Sequence, residues 1–158
     1  AVTQATNDKQ QVVPALEAFD ALAKRAPELG VPTTLVADCG FCSEHNAKAC
    51  QAQGIEPMLA LSRQEHHPHW SDRFSEPAPL PGQATAMQAM VHRLKTQAGR
   101  TIYALRKQTV EPVFGIIKSV MGFRQFSLRG LRKVTGEWTL VCLAWNVKRM
   151  AVLRLKTG

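Results

Sequence analysis

Two carboxylates in this chain occupy positions from which an acid could act on a phosphate ester. Asp38 closes the short apolar run 34–37, and the carboxyl end of a strand is where ligands bind in α/β sheets. Glu111 lies downstream, between Lys107 and Lys118. Carboxylate oxygens are the ligands that Mg²⁺ prefers, and a pair of such ions can clamp the attacking and leaving oxygens of a phosphodiester. The two acids therefore indicate a Mg²⁺ (or Mn²⁺) site facing phosphates, which normally needs a third carboxylate.

Each acid also has an ordinary explanation. An Asp that ends a strand shortly before a Gly is a common turn residue. Glu111 between two lysines could form surface ion pairs, worth roughly a few tenths of a kcal/mol. Pro112 is harder to explain in this way, because it removes a backbone donor and biases Glu111 away from helical geometry. We therefore predict that the helix kinks or restarts here and that this aims the Glu111 side chain.

Helical spacing predicts two faces around Glu111. Its apolar stripe is formed by Ile102, Leu105, Val113, Ile116 and Val120. The opposite face carries Tyr103, Lys107, Glu111 and Lys118, since residues four and seven apart lie on one side of a helix.

The net charge of +8 is concentrated in the second half of the chain. Residues 1–90 carry 6 Lys and Arg against 10 Asp and Glu, whereas residues 91–158 carry 14 Lys and Arg against 2 Glu. Such asymmetry favours a polyanionic partner over a merely solvated basic surface, and double-stranded DNA is the predicted partner. Phosphate contacts are expected in a stretch with no acid, from Arg124, Arg129, Arg132 and Lys133.

Length and composition indicate one folded domain of 158 residues that is 45% hydrophobic. No apolar run approaches the length of a membrane span, and no secretory signal is recognisable, so we expect no membrane partner. The four cysteines do not resemble a disulfide framework, which favours a reducing cytosol. The chain starts at Ala1 rather than Met, which indicates a fragment or a processed product.

The first half of the sequence predicts a βαβ unit. A helix capped at Asn7 or Asp8 runs to about residue 26, and a buried strand covers 33–38. A second helix, capped by Ser43, ends at Gly54, and a second strand covers 57–61, parallel to the first.

The second half predicts a loop followed by helices. Residues 62–85 are rich in Pro and read as a loop or insertion. The basic helical part, 86–158, contains a helix over 86–97, a pause at Gly99 and a helix to residue 121. A basic connector over 122–130 then leads to a final helix over about 131–155, with a possible interruption near Gly136.

The cysteines raise an alternative reading. The pattern formed by Cys39, Cys42, His45 and Cys50 approaches a zinc knuckle, although two residues rather than four separate Cys42 from His45. The helix from Ser43 places His45 and Cys50 on different faces, which disfavours Zn²⁺. His66, His67 and His69 crowd the Pro-rich loop, where solvent exposure explains them better than metal binding.

Several segments resemble the insertion-sequence transposases of the DDE type from bacteria. The run 36–43, Val-Ala-Asp-Cys-Gly-Phe-Cys-Ser, is similar to their Ala-Asp-x-Gly-Tyr-x-Ser segment, with Phe41 in place of Tyr. Residues 99–118 resemble the signature around their catalytic Glu, and 122–130, 136–138 and 143–146 are similar to the segments that follow it. The resemblance covers nearly the whole chain.

This resemblance implies a ribonuclease H-like α/β fold in which Asp38 and Glu111 are the second and third catalytic carboxylates and the metal ligands. Tyr103, Arg106 and Lys118 would contact DNA or steady the transition state, and Lys107 is assigned to DNA as well. The family's first catalytic Asp lies on an early strand, and this chain begins after it. Asp8 matches a position at the start of the family's first helix, so we assign it no metal.

We therefore expect the chain to be the C-terminal portion of a DDE transposase catalytic domain, truncated at its N-terminus and inactive alone. It would work in the bacterial cytoplasm at the nucleoid. Without the first strand, the strand before Asp38 keeps an unpaired edge, so we expect poor solubility or self-association. The alternative is a truncated relic that binds DNA without catalysis.

Overall fold

The computed structural model describes residues 2–62, 71 and 74–157. The chain divides into two compact units. The sheet unit comprises Ala5–Arg106, and the helical unit comprises Ala1–Gln4 together with Lys107–Gly158.

The sheet unit opens with the predicted capped helix. The Asn7 side chain accepts a hydrogen bond from the Lys9 backbone N–H at 2.9 Å and starts a 3₁₀ turn, Asp8–Gln11. The turn continues into α1 (Val12–Arg25), in which Pro14 occupies the first turn, where a missing N–H is tolerated. Val12 and Leu16 bury the apolar side of α1.

A βαβ unit follows, as the sequence predicts. Strands β1 (Thr34–Ala37) and β2 (Glu56–Leu59) pair in parallel, with Thr34 opposite Glu56 and Ala37 opposite Leu59. Helix α2 (Glu44–Ala52) connects them and is capped by Ser43, whose hydroxyl accepts from the Asn46 N–H at 3.1 Å. Among the described residues the sheet has these two strands, and the arrangement is compatible with an α/β fold.

The Pro-rich segment is described in part. Residues 63–70, 72 and 73, with His66, His67 and His69 among them, lie outside the described residues. Residues 75–85 carry neither helix nor strand. They are tied to later residues through side chains: Glu76 accepts from the Gln97 N–H at 2.8 Å, and Arg100 donates to the Ser75 carbonyl at 3.0 Å.

Two helices complete the sheet unit, α3 (Ala86–Lys95) and α4 (Gln97–Ala104). The break between them falls at Thr96, and the predicted pause at Gly99 is wrong. The Thr96 hydroxyl donates to the Arg93 carbonyl at 2.7 Å and accepts from the Gly99 N–H at 3.0 Å, so it ends one helix and caps the next. Gly99 lies inside α4, where a Cβ would overlap the Arg93 carbonyl oxygen.

The core of the sheet unit lies between the sheet and its helices. Leu59 and Met90 pack against Ala47 of α2, while Met58 and Ala60 pack against Tyr103 of α4. All six of these residues are buried. Leu35 and Ala37 of β1 pack against the first of these clusters and Val36 packs against the second, so the strand before Asp38 makes apolar contacts on both faces.

The helical unit consists mainly of α5 (Arg106–Ser119), which begins at the last residue of the sheet unit, and α6 (Leu131–Thr157). Pro112 lies inside α5, so the predicted restart of the helix at Glu111 is wrong. The chain breaks earlier, at the turn residue Leu105 between α4 and α5.

This break also invalidates the predicted faces. Residues 102–104 end α4 and residues 106–119 form α5, so the positions from 102 to 120 form no single stripe. Leu105 and Val120 are largely exposed, whereas Ile117 is the buried residue of α5, at 3% exposure.

Helix α6 continues through Gly136, so the helix has no interruption at the position where the sequence allowed one. Residues 122–130, which precede it, carry neither helix nor strand, as predicted. Across the described ranges, no helix combines the length and apolar character that a bilayer span requires.

Candidate functional site

Asp38 follows β1 directly and faces the turn that leads to α2. Its Oδ1 accepts a hydrogen bond from the Gly40 backbone N–H at 3.0 Å and caps the 3₁₀ turn Cys39–Phe41. The residue is exposed. The turn thus fixes one carboxylate oxygen at the carboxyl end of a parallel strand, the position at which α/β sheets bind ligands.

A second carboxylate, that of Asp8, approaches the same turn. A Cβ atom placed on Gly40 would lie 3.1 Å from Asp8 Oδ2 and 3.2 Å from Asp38 Oδ1. The two oxygens are therefore no more than about 6.3 Å apart, and both residues are exposed. Sequence reasoning assigned Asp8 no part in the site, since thirty residues separate the two acids and no local pattern links them.

Asn46 holds these two segments together. Its side-chain amide is buried at 1% exposure and donates to the Lys9 carbonyl at 2.9 Å and to the Phe41 carbonyl at 2.8 Å. Lys9 follows Asp8, and Phe41 closes the turn that Asp38 begins. One amide group therefore sets the separation of the two acids, a function that sequence spacing gave no means to detect.

The cysteines of the zinc-like pattern serve packing. Cys50 is buried with Val12, Leu16 and Ile55, and burial raises the pKa of its thiol. Burial also raises the pKa of the Cys42 thiol, partly offset by the positive charge of Lys9. Zn²⁺ binds the thiolate, so this environment disfavours the charge state that a zinc site would need.

Tyr103 and Arg106 belong to the sheet unit and interact with each other. The Tyr103 ring is buried against Met58 and Ala60, at 4% exposure, and the Arg106 guanidinium lies over it, 4.9 Å from the ring centre. This contact is a cation–π interaction. Tyr103 does not share an exposed helix face with Glu111, and its contact with DNA stays a prediction.

The remaining predicted residues lie in the helical unit. Glu111 is exposed in the second turn of α5, with Lys107 four residues before it and Lys118 seven after it. The described structure therefore places Asp38 and Glu111 in different units. Among the described residues, no group of three or more His, Cys, Asp or Glu side chains is placed to hold a metal ion.

Glu137 of α6 forms hydrogen bonds with the basic connector, residues 122–130. Its carboxylate accepts from the backbone N–H groups of Ser127 at 2.8 Å and Leu128 at 3.1 Å. These two hydrogen bonds, with the nearby positive charge of Arg129, lower the pKa of Glu137. Sequence reasoning did not single out this residue, whose partners lie 9 and 10 positions away in an irregular segment.

The four predicted phosphate-binding cations lie on or beside this connector, and all are exposed: Arg124, Arg129, Arg132 and Lys133. Arg129 is partly engaged within the connector, because its guanidinium donates to the Phe126 and Leu128 carbonyls at 3.2 Å each. Arg132 and Lys133 occupy the first turn of α6, where the helix dipole disfavours positive charge. A phosphate bound at this position would relieve that unfavourable interaction.

Comparison with known proteins identifies one related family. The family model described as a transposase DDE domain matches residues 80–151, which include Glu111 and the basic connector. The match makes this part of the chain similar to the DDE domain of transposases. No curated protein and no solved structure matches the chain.

Proposed function

We propose that the chain is a catalytic portion of a DDE transposase that cuts and joins DNA strands at phosphodiester bonds. The observation that carries the proposal is the family match over residues 80–151, because it spans Glu111, Lys118 and the basic connector. The parallel βαβ unit, with Asp38 at the end of β1, is consistent with a ribonuclease H-like sheet. We propose a ribonuclease H-like fold for the catalytic domain to which this portion belongs.

Asp38 and Glu111 are the proposed catalytic carboxylates and the proposed ligands of Mg²⁺ or Mn²⁺. Both are exposed and offer hard oxygen atoms, as such ions require. A bound ion would polarise the phosphodiester and neutralise developing charge.

DNA binding is proposed for the helical unit. It contains ten Lys and Arg residues but only two acidic residues. One of these acids, Glu137, is already bound to backbone N–H groups. The proposed contacts to phosphate come from exposed cations, namely Lys107, Lys118, Arg124, Arg129, Arg132 and Lys133. Tyr103 and Arg106 are proposed to act with them, at the bacterial nucleoid.

Self-association is proposed through α6. Leu140, Leu143, Val147 and Met150 are exposed and follow one another at spacings of three, four and three, the pattern of a helix that packs on another helix. Replacing Leu143 and Val147 by Gln should convert an oligomer into a smaller species in light scattering, whereas Asn146→Ala, outside the stripe, should not. An unchanged mass in the Gln variant would contradict this interface.

The test of the catalytic assignment is Glu111→Ala in a transposase that contains the complete catalytic domain. We expect strand cleavage to fall by at least about a thousandfold, as expected for loss of a main catalytic group, while DNA binding stays measurable. Glu17→Ala, an exposed acid on α1, is the matched control and should cleave normally. Cleavage by the Glu111 variant would refute the assignment. Binding without cleavage by the unmodified protein would favour the non-catalytic relic.

A further inference from the structure

An aromatic pocket lies between α5, α6 and the connector of the helical unit. We define it by the residues Phe114, Ile117, Phe123, Phe126 and Trp138. The Phe114 and Trp138 rings are nearly parallel, at an angle of 8° with centres 6.2 Å apart. The Phe126 ring stands edge-on to Trp138, at 74° and 6.4 Å.

This pocket is open rather than a sealed core. Its volume is about 550 Å³, within the range of roughly 300–1,000 Å³ that is typical of small-molecule sites. Phe114 is 45% exposed, and Phe123, Phe126 and Trp138 are only partly buried. Flat aromatic surface is therefore accessible to a ligand.

The rim of the pocket is basic. Lys118 and Arg124 line it beside Gln125, and none of its described lining residues is acidic. Both cations are exposed. A ligand suited to this pocket has a flat, largely apolar ring joined to negative charge, which is the chemistry of a nucleotide.

The wall of the pocket is fixed in place. Glu137, the neighbour of Trp138, binds the backbone N–H groups of Ser127 and Leu128, and this attaches the segment that carries Phe123 and Phe126 to α6. The pocket is thus organised before a ligand arrives, which lowers the entropic cost of binding.

We propose that the aromatic pocket binds one unpaired nucleobase of a DNA strand, with the adjoining phosphates on Lys118 and Arg124. Glu111 lies three residues before Phe114 on the same side of α5, roughly 4.5 Å away along the helix axis. The proposal rests on the proposed function in one respect: if Glu111 is catalytic, the bound base belongs to a nucleotide next to the cleaved bond.

The experiment compares three DNA duplexes of the same sequence in buffer without divalent cations, so that binding is measured apart from cleavage. One duplex is fully paired, one carries a single unpaired base, and one carries an abasic nucleotide at the same unpaired position. The abasic duplex shares the bend of the second but offers no base to stack. We expect the full chain to bind the unpaired base about ten times more tightly than the abasic duplex, as measured by fluorescence anisotropy.

Variants on α5 test whether the pocket is responsible. Phe114→Leu should remove the tenfold preference, and Phe114→Tyr should keep it because the ring remains. Val110→Ala, an exposed apolar position one turn earlier and outside the pocket lining, should also keep it. Equal binding of the two unpaired duplexes, a preference that persists in Phe114→Leu, or no binding of any duplex would each overturn the proposal. Loss of cleavage alone would weaken only the assignment of Glu111, because the preference is read without metal.

Discussion

Asn46 shows how one buried side chain can position two acids. Its amide donates to the Lys9 and Phe41 carbonyls and so joins the turn of Asp8 to the turn of Asp38. Asn46→Ala would leave both carbonyls without this donor, and a buried unsatisfied group costs about 1–3 kcal/mol. We predict that the variant lowers the free energy of unfolding by about 3 kcal/mol, measured in urea.

Two further variants make this prediction specific. Asn46→Asp should be at least as destabilising, because a carboxylate would face two carbonyl oxygens without a hydrogen to donate. Gln51→Ala, exposed on the same helix, should change stability by less than about 0.5 kcal/mol. The positioning role would be contradicted if Asn46→Ala were no more destabilising than Gln51→Ala.

Glu137 predicts a pH dependence of the basic connector. Its backbone hydrogen bonds lower its pKa below the ordinary value of 4.5. A lowered pKa means that the carboxylate stabilises the folded connector above pH 4.5 and that this stabilisation is lost as the pH falls through the folded pKa. The Ser127 and Leu128 amide resonances should therefore shift with a common midpoint below 4.5.

The matched variant for this titration is Glu137→Gln. It keeps a side-chain acceptor but has no charge to lose, so the two amide resonances should no longer titrate together. A midpoint at or above 4.5 in the unmodified protein would mean that the hydrogen bonds do not favour the ionised form.

At the scale of elements, α5 contains a proline that is unfavourable for the stability of the helix. Pro112 is the seventh residue of α5, where proline costs about 3 kcal/mol relative to alanine. Pro112→Ala should therefore raise the free energy of unfolding by about 1–3 kcal/mol, measured by denaturant titration. If the proline aims Glu111, the same variant should cleave DNA more slowly while being more stable.

Pro14→Ala is the corresponding control, because Pro14 lies in the first turn of α1, where no helical hydrogen bond is lost. Its stability should change by less than about 1 kcal/mol. If Pro112→Ala were less stable than the unmodified protein, the prediction would be wrong, and the proline would have to stabilise α5 by more than its helix propensity costs.

The elements differ in how far the sequence predicts them. The caps at Asn7 and Ser43 and the β-branched strand before Asp38 are local signals, and they placed α1, β1, α2 and β2 within a few residues. The break at Leu105 carries no Gly or Pro. Burial of Tyr103 requires contact with Met58 and Ala60, more than forty residues away. The sequence suggests Asp38 and Glu111 as candidate carboxylates, and that assignment stays a prediction. The Asn46 amide next to the turn of Asp38 and the contacts of Glu137 with the connector depend on tertiary structure, which no local pattern reveals.

At the scale of the whole molecule, the two units differ in charge, because the helical unit contains ten Lys and Arg residues and two acidic residues. DNA binding should weaken with salt as counterions are displaced from the duplex. Replacing Arg132 and Lys133 together by Gln should reduce the magnitude of the slope of log K against log salt by about 2, since each phosphate contact contributes roughly 0.9. Binding should weaken to a similar extent for any duplex sequence.

Lys24→Gln tests whether the effect belongs to the helical unit. Lys24 is an exposed cation of the sheet unit and pairs with Asp20 at 2.7 Å. Its removal should leave the slope unchanged. An equal change of slope in both variants would indicate a general effect of net charge rather than a DNA-binding surface on the helical unit.

The register of the sheet has a consequence for the order in which the protein forms. Thr34 pairs with Glu56 and Ala37 with Leu59, so paired residues are 22 positions apart along the chain. Closing such a short loop costs little entropy, and contacts close in sequence favour rapid folding. Asp38 lies inside this loop. Residues 34–59 therefore contain both strands and the turn of Asp38, so this carboxylate can reach the end of its strand before Met90 and Tyr103, which come later in the chain, complete the core around the sheet.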